Sequence, residues 1–303
     1  MTIKTRMLLK FRQNKRIFSI FQSISFLRDK VIDPPNIRKT EWNSNIKSLK
    51  IKRHLTIFND RELEFKNYFR INNLFLFKYY LRNNFPRTMI FADKITKYYQ
   101  DSVDNDIDLN NAHKNSEFDY LLRLMMAYTR FTMILPYLDF IKNNNKISEM
   151  KILDYGCGVS DIGILFASLG ADVTISEISG TRLDFAKKRY DNRGFKVTCI
   201  PINGPSHYPV LEENKYDLII ATELFEHVRD PFKLLKNFTN ALKIGGCLFD
   251  SMGGNFDRPI KGDHLKESIQ IGNSIDYINF YKYHFDQLNV INNHPNLLYL
   301  KKR

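Results

Sequence analysis

The spacing of hydrophobic and polar positions changes character near residue 151. Before that point, apolar residues recur at helical spacing in Met7–Leu27, Glu62–Leu81 and Glu117–Ile141, which predicts helices. After it, short apolar runs alternate with amphipathic segments, and glycine or polar residues separate them. This rhythm is typical of a parallel sheet whose strands are joined by crossover helices.

Five strands are predicted from the apolar runs, at Lys151–Tyr155, Ala171–Ser176, Phe195–Ile202, Tyr216–Thr222 and Cys247–Ser251. Helices are predicted between them, at Asp161–Leu169, at Thr181–Tyr190 and from Asp230 onward, with Ser160 and Asp230 as N-caps. Gly245-Gly246 is predicted to end the last of these helical units. A helix around Ile275–Phe285 and a hairpin ending in Leu297–Lys301 complete a doubly wound α/β domain.

The chain divides by composition into two regions. Residues 1–110 are predicted to form a basic, mainly helical N-terminal region that acts as a lid, a substrate contact or an oligomer contact. The acidic stretch Asp101–Asp108 is predicted to be a linker or exposed loop, because closely spaced like charges repel. Residues 111–303 are predicted to form the main domain.

The positive charge is concentrated in the N-terminal region. Residues 1–100 hold 22 Lys/Arg against 7 Asp/Glu, whereas the remaining 203 residues hold 24 against 26. Such an excess can attract nucleic acid, acidic lipid or phosphorylated substrates, or it can simply be a solvated surface. Nucleic acid therefore stays open as a less favoured partner, and so does a homo-oligomer.

Three cysteines, Cys157, Cys199 and Cys247, lack both metal-ligand spacing and a disulfide framework, which favours a cytoplasmic location. No apolar stretch is long enough to predict a transmembrane helix. Basic residues interrupt the hydrophobic positions near the N-terminus, which argues against a signal peptide.

The most informative motif is the turn Asp154-Tyr155-Gly156-Cys157-Gly158 after the first strand. Glycines let the backbone approach a ligand, and the following helix offers free N–H groups at its N-terminus. Glu177, 21 residues after Gly156, ends the second strand, where a carboxylate can accept both hydroxyls of a ribose. The turn therefore predicts an adenosine-type cofactor.

The kind of cofactor follows from two acids. A dinucleotide turn requires a third glycine at the position of Asp161, and Asp154 ahead of the turn would repel phosphates. Asp154 can instead accept hydrogen bonds from an ammonium group. A nucleoside that carries an amino acid fits this turn better than a dinucleotide does.

Four blocks between Lys151 and Ser251 together resemble class I S-adenosylmethionine-dependent methyltransferases, namely Ile152–Gly158, Val173–Ser179, Tyr216–Glu223 and Glu226-His227-Val228. The resemblance implies a Rossmann-like, mostly parallel seven-stranded sheet with the N-terminal helical region as an extension, and S-adenosyl-L-methionine as the cofactor. It also implies the cofactor-binding residues, which are Asp154, Gly156, Cys157, Gly158, Glu177, Ile178, Asn203, Thr222 and Glu223. Ser160 replaces a glycine common in this family, and Asn203 is the nearest counterpart of an acid usual beside the adenine.

The candidate catalytic residues follow the fourth and fifth strands. A hydroxyl acceptor would benefit from a general base, for which His264, His227 and Glu223 are the candidates. Glu223, Glu226 and His227 with His264 also resemble the divalent-metal site of small-RNA 3′-end methyltransferases. Metal-free small-molecule relatives carry much the same run, so no metal is expected.

Three functions remain open from the sequence. The first is methyl transfer to a small molecule, such as a sugar, a lipid-linked intermediate or a natural-product intermediate. The second is an RNA methyltransferase that uses the basic N-terminal region, although no recognisable RNA-binding module occurs there. The third is a non-catalytic scaffold that keeps the fold.

Overall fold

A single seven-stranded sheet organises the part of the chain that the computed structural model describes, namely residues 61–71, 120, 121, 124, 137–204, 206–251, 264–288 and 297–301. The strands are β1 Lys151–Tyr155, β2 Asp172–Ile178, β3 Thr198–Ile202, β4 Tyr216–Ala221, β5 Leu242–Asp250, β6 Phe285–Leu288 and β7 Leu297–Lys301. Their order is β3-β2-β1-β4-β5-β7-β6, with β1 to β5 parallel and β7 antiparallel to its two neighbours. The predicted doubly wound, mostly parallel fold is confirmed.

Helices cover both faces of this sheet. Their bounds are α1 Arg61–Tyr68, α2 Asp161–Ser168, α3 Thr181–Asp191, α4 Pro231–Ala241, α5 Lys266–Gly272 and α6 Ile275–His284. Residues 137–142 are also helical. Short 3-10 turns occur at Ile147–Glu149 and Phe225–His227.

The central strands are buried on both faces, which explains why they read as continuous apolar runs. Along β1, Ile152 packs with α2 and α3 on one face, whereas Leu153 packs with α4 and α6 on the other. Along β4, Ile220 and Ile219 divide in the same way. The two apolar layers hold the carboxyl ends of β1, β2 and β4 side by side.

The prediction for the fifth strand is wrong at its start. The strand begins at Leu242, directly after α4, and not at Cys247. Gly245 and Gly246 therefore lie within β5, where the register against β4 shifts between Tyr216 and Leu218. Gly245 has φ +76°, a conformation that glycine adopts without strain, so the pair forms an irregularity in the strand and does not end the helical unit.

The two predicted N-caps have different outcomes. Asp230 caps α4 as predicted, because its side chain accepts a hydrogen bond from the Lys233 N–H and Pro231 occupies the first helical position. Ser160 precedes α2 but makes no capping hydrogen bond, so that prediction is wrong. Its hydroxyl instead donates to Asp154, a buried carboxylate that needs hydrogen-bond donors around it.

We expect Asp230→Ala to lower the free energy of unfolding by about 1 kcal/mol, the usual cost of losing an N-cap. Urea denaturation followed by circular dichroism measures this change. Glu213→Ala, in the exposed loop before β4, serves as the control and should leave the midpoint unchanged. Equal midpoints for both variants would contradict the capping role of Asp230.

Several predictions lie outside the described residues, among them the helix Met7–Leu27, the linker Asp101–Asp108 and much of the predicted helices Glu62–Leu81 and Glu117–Ile141. The division at residue 110 thus stays a prediction. Among the residues described, no helix is both long and apolar enough to cross a membrane.

Candidate active site

The candidate site lies where β1, β2 and β4 end. Strand β1 pairs with β2 on one side and with β4 on the other, so the turn after β1 lies between Glu177 on β2 and Thr222 after β4. Ligands of open parallel sheets bind at this edge. The fold thus brings three of the predicted blocks together, although they are separated by up to 70 residues in the chain.

The turn after β1 adopts the conformation that its glycines allow. Gly156 and Gly158 have φ +67° and +57°, and the N–H groups of Gly156 and Cys157 both donate to the Ser176 carbonyl, at 2.8 and 3.1 Å. A Cβ on Gly156 would lie 2.8 Å from Leu224 Cδ1, and one on Gly158 would lie 2.9 Å from Leu124 Cδ1. Both the backbone angle and the space therefore disfavour any side chain at these two positions.

Ser160 adopts a glycine-like conformation at the end of this turn. Its φ is +52°, in the left-handed region, and its hydroxyl donates to Asp154 Oδ2 at 2.8 Å and contacts the Tyr190 hydroxyl at 2.9 Å. These hydrogen bonds help to stabilise a conformation that is unfavourable for a residue with a side chain. The substitution of serine for the family's glycine is thus compatible with the same turn.

Two buried carboxylates flank the turn. Asp154, 4% exposed, accepts from Ser160 Oγ and from the Gly163 N–H at 3.2 Å. Glu177, also 4% exposed, accepts from the Gly158 N–H through Oε2 at 2.8 Å and from the Ile178 N–H through Oε1 at 2.9 Å. Both of these Asp154 bonds end on Oδ2, whereas each Glu177 oxygen accepts one of its two bonds and has a second lone pair, with which it can accept a ribose hydroxyl.

These residues fit S-adenosylmethionine and disfavour a pyrophosphate. Two negative charges beside the turn attract the ammonium and sulfonium groups of that cofactor, whereas they would repel phosphate. The roles that the resemblance gives them, Asp154 beside the methionine half and Glu177 at the ribose, stay predictions.

Cys157 lies in the middle of the turn as a buried, neutral thiol. Burial raises its pKa well above the usual value for a cysteine, and the negative charges of Asp154 and Glu177 raise it further. A thiol that keeps its proton is a poor nucleophile. Cys157 therefore shapes the turn without competing for the methyl group.

The end of β4 presents Thr222 and Glu223. The Thr222 hydroxyl forms a hydrogen bond with the hydroxyl of Tyr137, a fully buried residue on the helical segment 137–142. Burial raises the pKa of Tyr137 well above its usual range, so its phenol stays protonated. Glu223 has φ +52°, and its N–H donates to Ser251 Oγ at 2.6 Å, which ties the end of β4 to the end of β5.

Asn203 follows β3, one strand farther from the turn than Glu177. Its N–H donates to Nδ1 of His207 at 3.1 Å, which closes a short loop after the strand. This edge of the sheet is where the resemblance places the adenine. The adenine role of Asn203 stays a prediction.

Two candidate catalytic histidines meet next to a buried glutamate. The rings of His227 and His264 lie with their centroids 5.2 Å apart and nearly perpendicular, and Glu226 is 1% exposed beside them. The Leu265 N–H donates to the Glu226 carbonyl at 2.9 Å, which brings the segment after β5 against the turn after β4. The carboxylate grouped with the two histidines is thus that of Glu226, and not that of Glu223, the acid proposed from the sequence as a base.

The cluster has donor types that suit a divalent metal as well as a proton relay. One ligand atom from each of Glu226, His227 and His264 lies within 4.8 Å of the others. Imidazole nitrogens and a carboxylate oxygen in such a group can bind a cation, and they can also pass a proton between them.

Sequence reasoning missed Tyr137, Tyr190 and Arg189, which contact Thr222, Ser160 and the turn, respectively. Tyr137 and Tyr190 occur at positions that a helical pattern assigns to the core. Arg189 could have been noticed in the sequence, because it is a charged residue on the apolar side of α3, next to Tyr190.

Comparisons with known proteins also indicate a methyltransferase. A family model described as a methyltransferase domain matches residues 153–248. The ubiquinone biosynthesis O-methyltransferase of Hydrogenovibrio crunogenus is 32% identical over 114 residues, which cover 38% of this chain and 47% of that protein. Its namesake in Actinobacillus pleuropneumoniae is 31% identical over 119 residues, covering 38% and 50%. The chain thus matches about half the length of these curated relatives.

Among solved structures, a methyltransferase from Aquifex aeolicus described as dependent on S-adenosylmethionine aligns with 60% of this chain and 96% of its own, at 15% identity and a TM-score of 0.45. The fold follows from the strand order and from the geometry of the turn. Together with the family match, they show that residues 153–248 belong to a methyltransferase domain of the class I, S-adenosylmethionine-dependent type.

Proposed function

We propose that this protein transfers a methyl group from S-adenosylmethionine to a hydroxyl oxygen of a small molecule. The observation that carries the proposal is the pairing of His227 and His264 beside buried Glu226, next to the β4 end that adjoins the cofactor turn. An imidazole can accept the proton that a hydroxyl loses when it is methylated. The names of the curated relatives, which are O-methyltransferases, favour an oxygen acceptor as well.

The residues divide the work in this proposal. The cofactor supplies a methyl group that its sulfonium has already activated, so the protein mainly has to align the acceptor and remove a proton. Asp154 would hold the methionine half of the cofactor and Glu177 its ribose, and Thr222, fixed by Tyr137, shapes the wall next to it. His264 takes the proton of the acceptor hydroxyl, while Glu226 stabilises the resulting imidazolium.

The test is methyl transfer from labelled S-adenosylmethionine to a panel of hydroxyl compounds, comprising dihydroxybenzenes, sugars and lipid-linked phenols, with total RNA in parallel. We expect label in at least one small molecule and none when its hydroxyl is already a methyl ether. Label confined to RNA, and lost at higher salt, would support the RNA methyltransferase instead. Failure to bind S-adenosylmethionine in calorimetry would favour the third hypothesis, a non-catalytic scaffold.

A further inference from the structure

A fully buried arginine connects the cofactor turn with the N-terminal helix α1. Arg189 on α3 donates through Nη1 to the carbonyl of Val159 and to Asp161 Oδ1, the latter at 2.8 Å. These two residues flank Ser160, whose left-handed conformation ends the turn. A buried guanidinium is stable only with such partners, so it holds the chain on both sides of Ser160 in place.

The charge of Arg189 is balanced in part from α1. Glu64, 8% exposed and 125 residues before Arg189, accepts from its Nε at 2.9 Å and also forms an ion pair with Arg193. Without the negative charge of Glu64, the guanidinium would keep one carboxylate partner, Asp161, among those that the structure gives it. The position of α1 is thus linked by charge to the position of the cofactor turn.

A second set of contacts reaches the same turn from Tyr120 and Leu124. The guanidinium of Arg182 lies 3.7 Å from the centre of the Tyr120 ring and 4.0 Å from Glu177 Oε1. Leu124 lies directly against Gly158. Leu121 and Leu124 also pack with Phe65 of α1 and with Val159 of the turn.

We propose that residues 61–71 form a clamp together with Tyr120, Leu121 and Leu124, and that docking of this clamp and binding of the cofactor strengthen each other. Glu64 is the positioning residue. The inference rests on the proposed cofactor site and adds a role for the N-terminal region. Among the described residues, Glu64 bonds to Arg189 and Arg193, and it acts through Arg189 on Val159 and Asp161 at the end of the turn. Because coupling between two sites is reciprocal, cofactor binding stabilises the docked clamp by the same factor by which the clamp raises cofactor affinity.

The first test measures the dissociation constant of S-adenosylhomocysteine by calorimetry for the full-length Glu64→Gln variant. Glutamine keeps the shape of the side chain and removes its charge. We expect the dissociation constant and the KM for S-adenosylmethionine to rise about tenfold, within the usual range of coupling between sites. The turnover number and the KM for the acceptor should stay within twofold, because Glu64 acts through Arg189 on the end of the turn after β1 and not on the histidine pair.

The matched control is Glu212→Gln, which removes an exposed glutamate whose ion pair with Lys215 is far from the turn in the chain. It should bind S-adenosylhomocysteine as the wild type does. A purely structural role of Glu64 would lower the melting temperature without changing the dissociation constant, and that result would overturn the proposal. If the wild type itself does not bind S-adenosylhomocysteine, the proposed function fails and not the clamp alone.

The second test uses hydrogen exchange of residues 61–71. S-adenosylhomocysteine should slow exchange there in the wild type and in Glu212→Gln, and should have little effect in Glu64→Gln. If Glu64→Gln does not fold, Tyr120→Leu replaces it, since it removes the ring against Arg182 and keeps an apolar side chain. This variant should raise the dissociation constant three- to tenfold, as the loss of a cation–π contact predicts, and an unchanged constant would overturn the proposal.

Discussion

Glu177→Gln is expected to weaken binding of S-adenosylhomocysteine at least 100-fold. Both oxygens of the Glu177 carboxylate accept backbone N–H groups, from Gly158 and Ile178, and a glutamine amide can accept only one of them. Its NH₂ group would face the other N–H, donor against donor. The ribose hydroxyls would in addition lose a charged acceptor.

The size of the effect follows from the hydrogen bonds involved. Hydrogen bonds to a charged group contribute about 1.5–3 kcal/mol each. The loss of the two that the carboxylate would accept from the ribose hydroxyls corresponds to a factor of roughly 100 or more in the dissociation constant. Calorimetric titration with S-adenosylhomocysteine measures the change. Asp172→Asn, exposed at the opposite end of β2, is the matched control and should bind normally. A Glu177→Gln variant that binds within threefold of the wild type would show that the ribose lies elsewhere.

The meeting of the candidate cofactor residues could be predicted from the sequence, because a parallel sheet brings the ends of neighbouring strands together. Asp154 and the glycine turn after the first strand must lie beside Glu177 at the end of the second if the two strands are neighbours. The structure pairs these strands in register, with Tyr155 opposite Ser176. The direct hydrogen bond from Gly158 to Glu177 is the consequence of that pairing.

The errors have local physical causes. A glycine pair after a helix usually marks its end, but in this protein α4 passes into β5 without a loop and the pair forms an irregularity inside the strand. A serine before a helix usually caps it, but the Ser160 hydroxyl donates to Asp154. A buried carboxylate without hydrogen-bond donors costs more free energy than an N–H at the helix terminus, which can find another acceptor.

The side-chain partnerships across the chain could not be predicted at all. Glu64 and Arg189 pair over 125 positions, and Tyr137 meets Thr222 over 85. No periodicity connects such residues, since each pattern describes only its own helix or strand. His227 and His264 were both candidates, yet their meeting depends on contacts between the segments that follow β4 and β5, such as the hydrogen bonds from the Leu265 N–H to the Glu226 carbonyl and from the Ser268 hydroxyl to the Val228 carbonyl.

His264→Gln is expected to lower the turnover number by 10²–10⁴, the range that a general base contributes, with cofactor binding within threefold of the wild type. His264 is buried beside Glu226, and glutamine keeps hydrogen-bonding capacity without accepting a proton. Steady-state kinetics measure the change, with the acceptor that the labelling panel identifies. His284→Gln, on α6 with its ring 4.2 Å from that of Phe280, is the control and should keep its activity.

The pH profile and a chelator separate a base from a metal ligand. A histidine base must be neutral to work, so the turnover number of the wild type should fall as the pH is lowered, and this fall should be absent from the residual activity of His264→Gln. Treatment with EDTA should leave the wild-type activity within twofold, because a histidine base needs no metal ion. Activity that EDTA removes and Mn²⁺ restores would contradict the role of His264 as a base. Both imidazoles would then hold the ion, and the bound cation would lower the pKa of the acceptor hydroxyl instead.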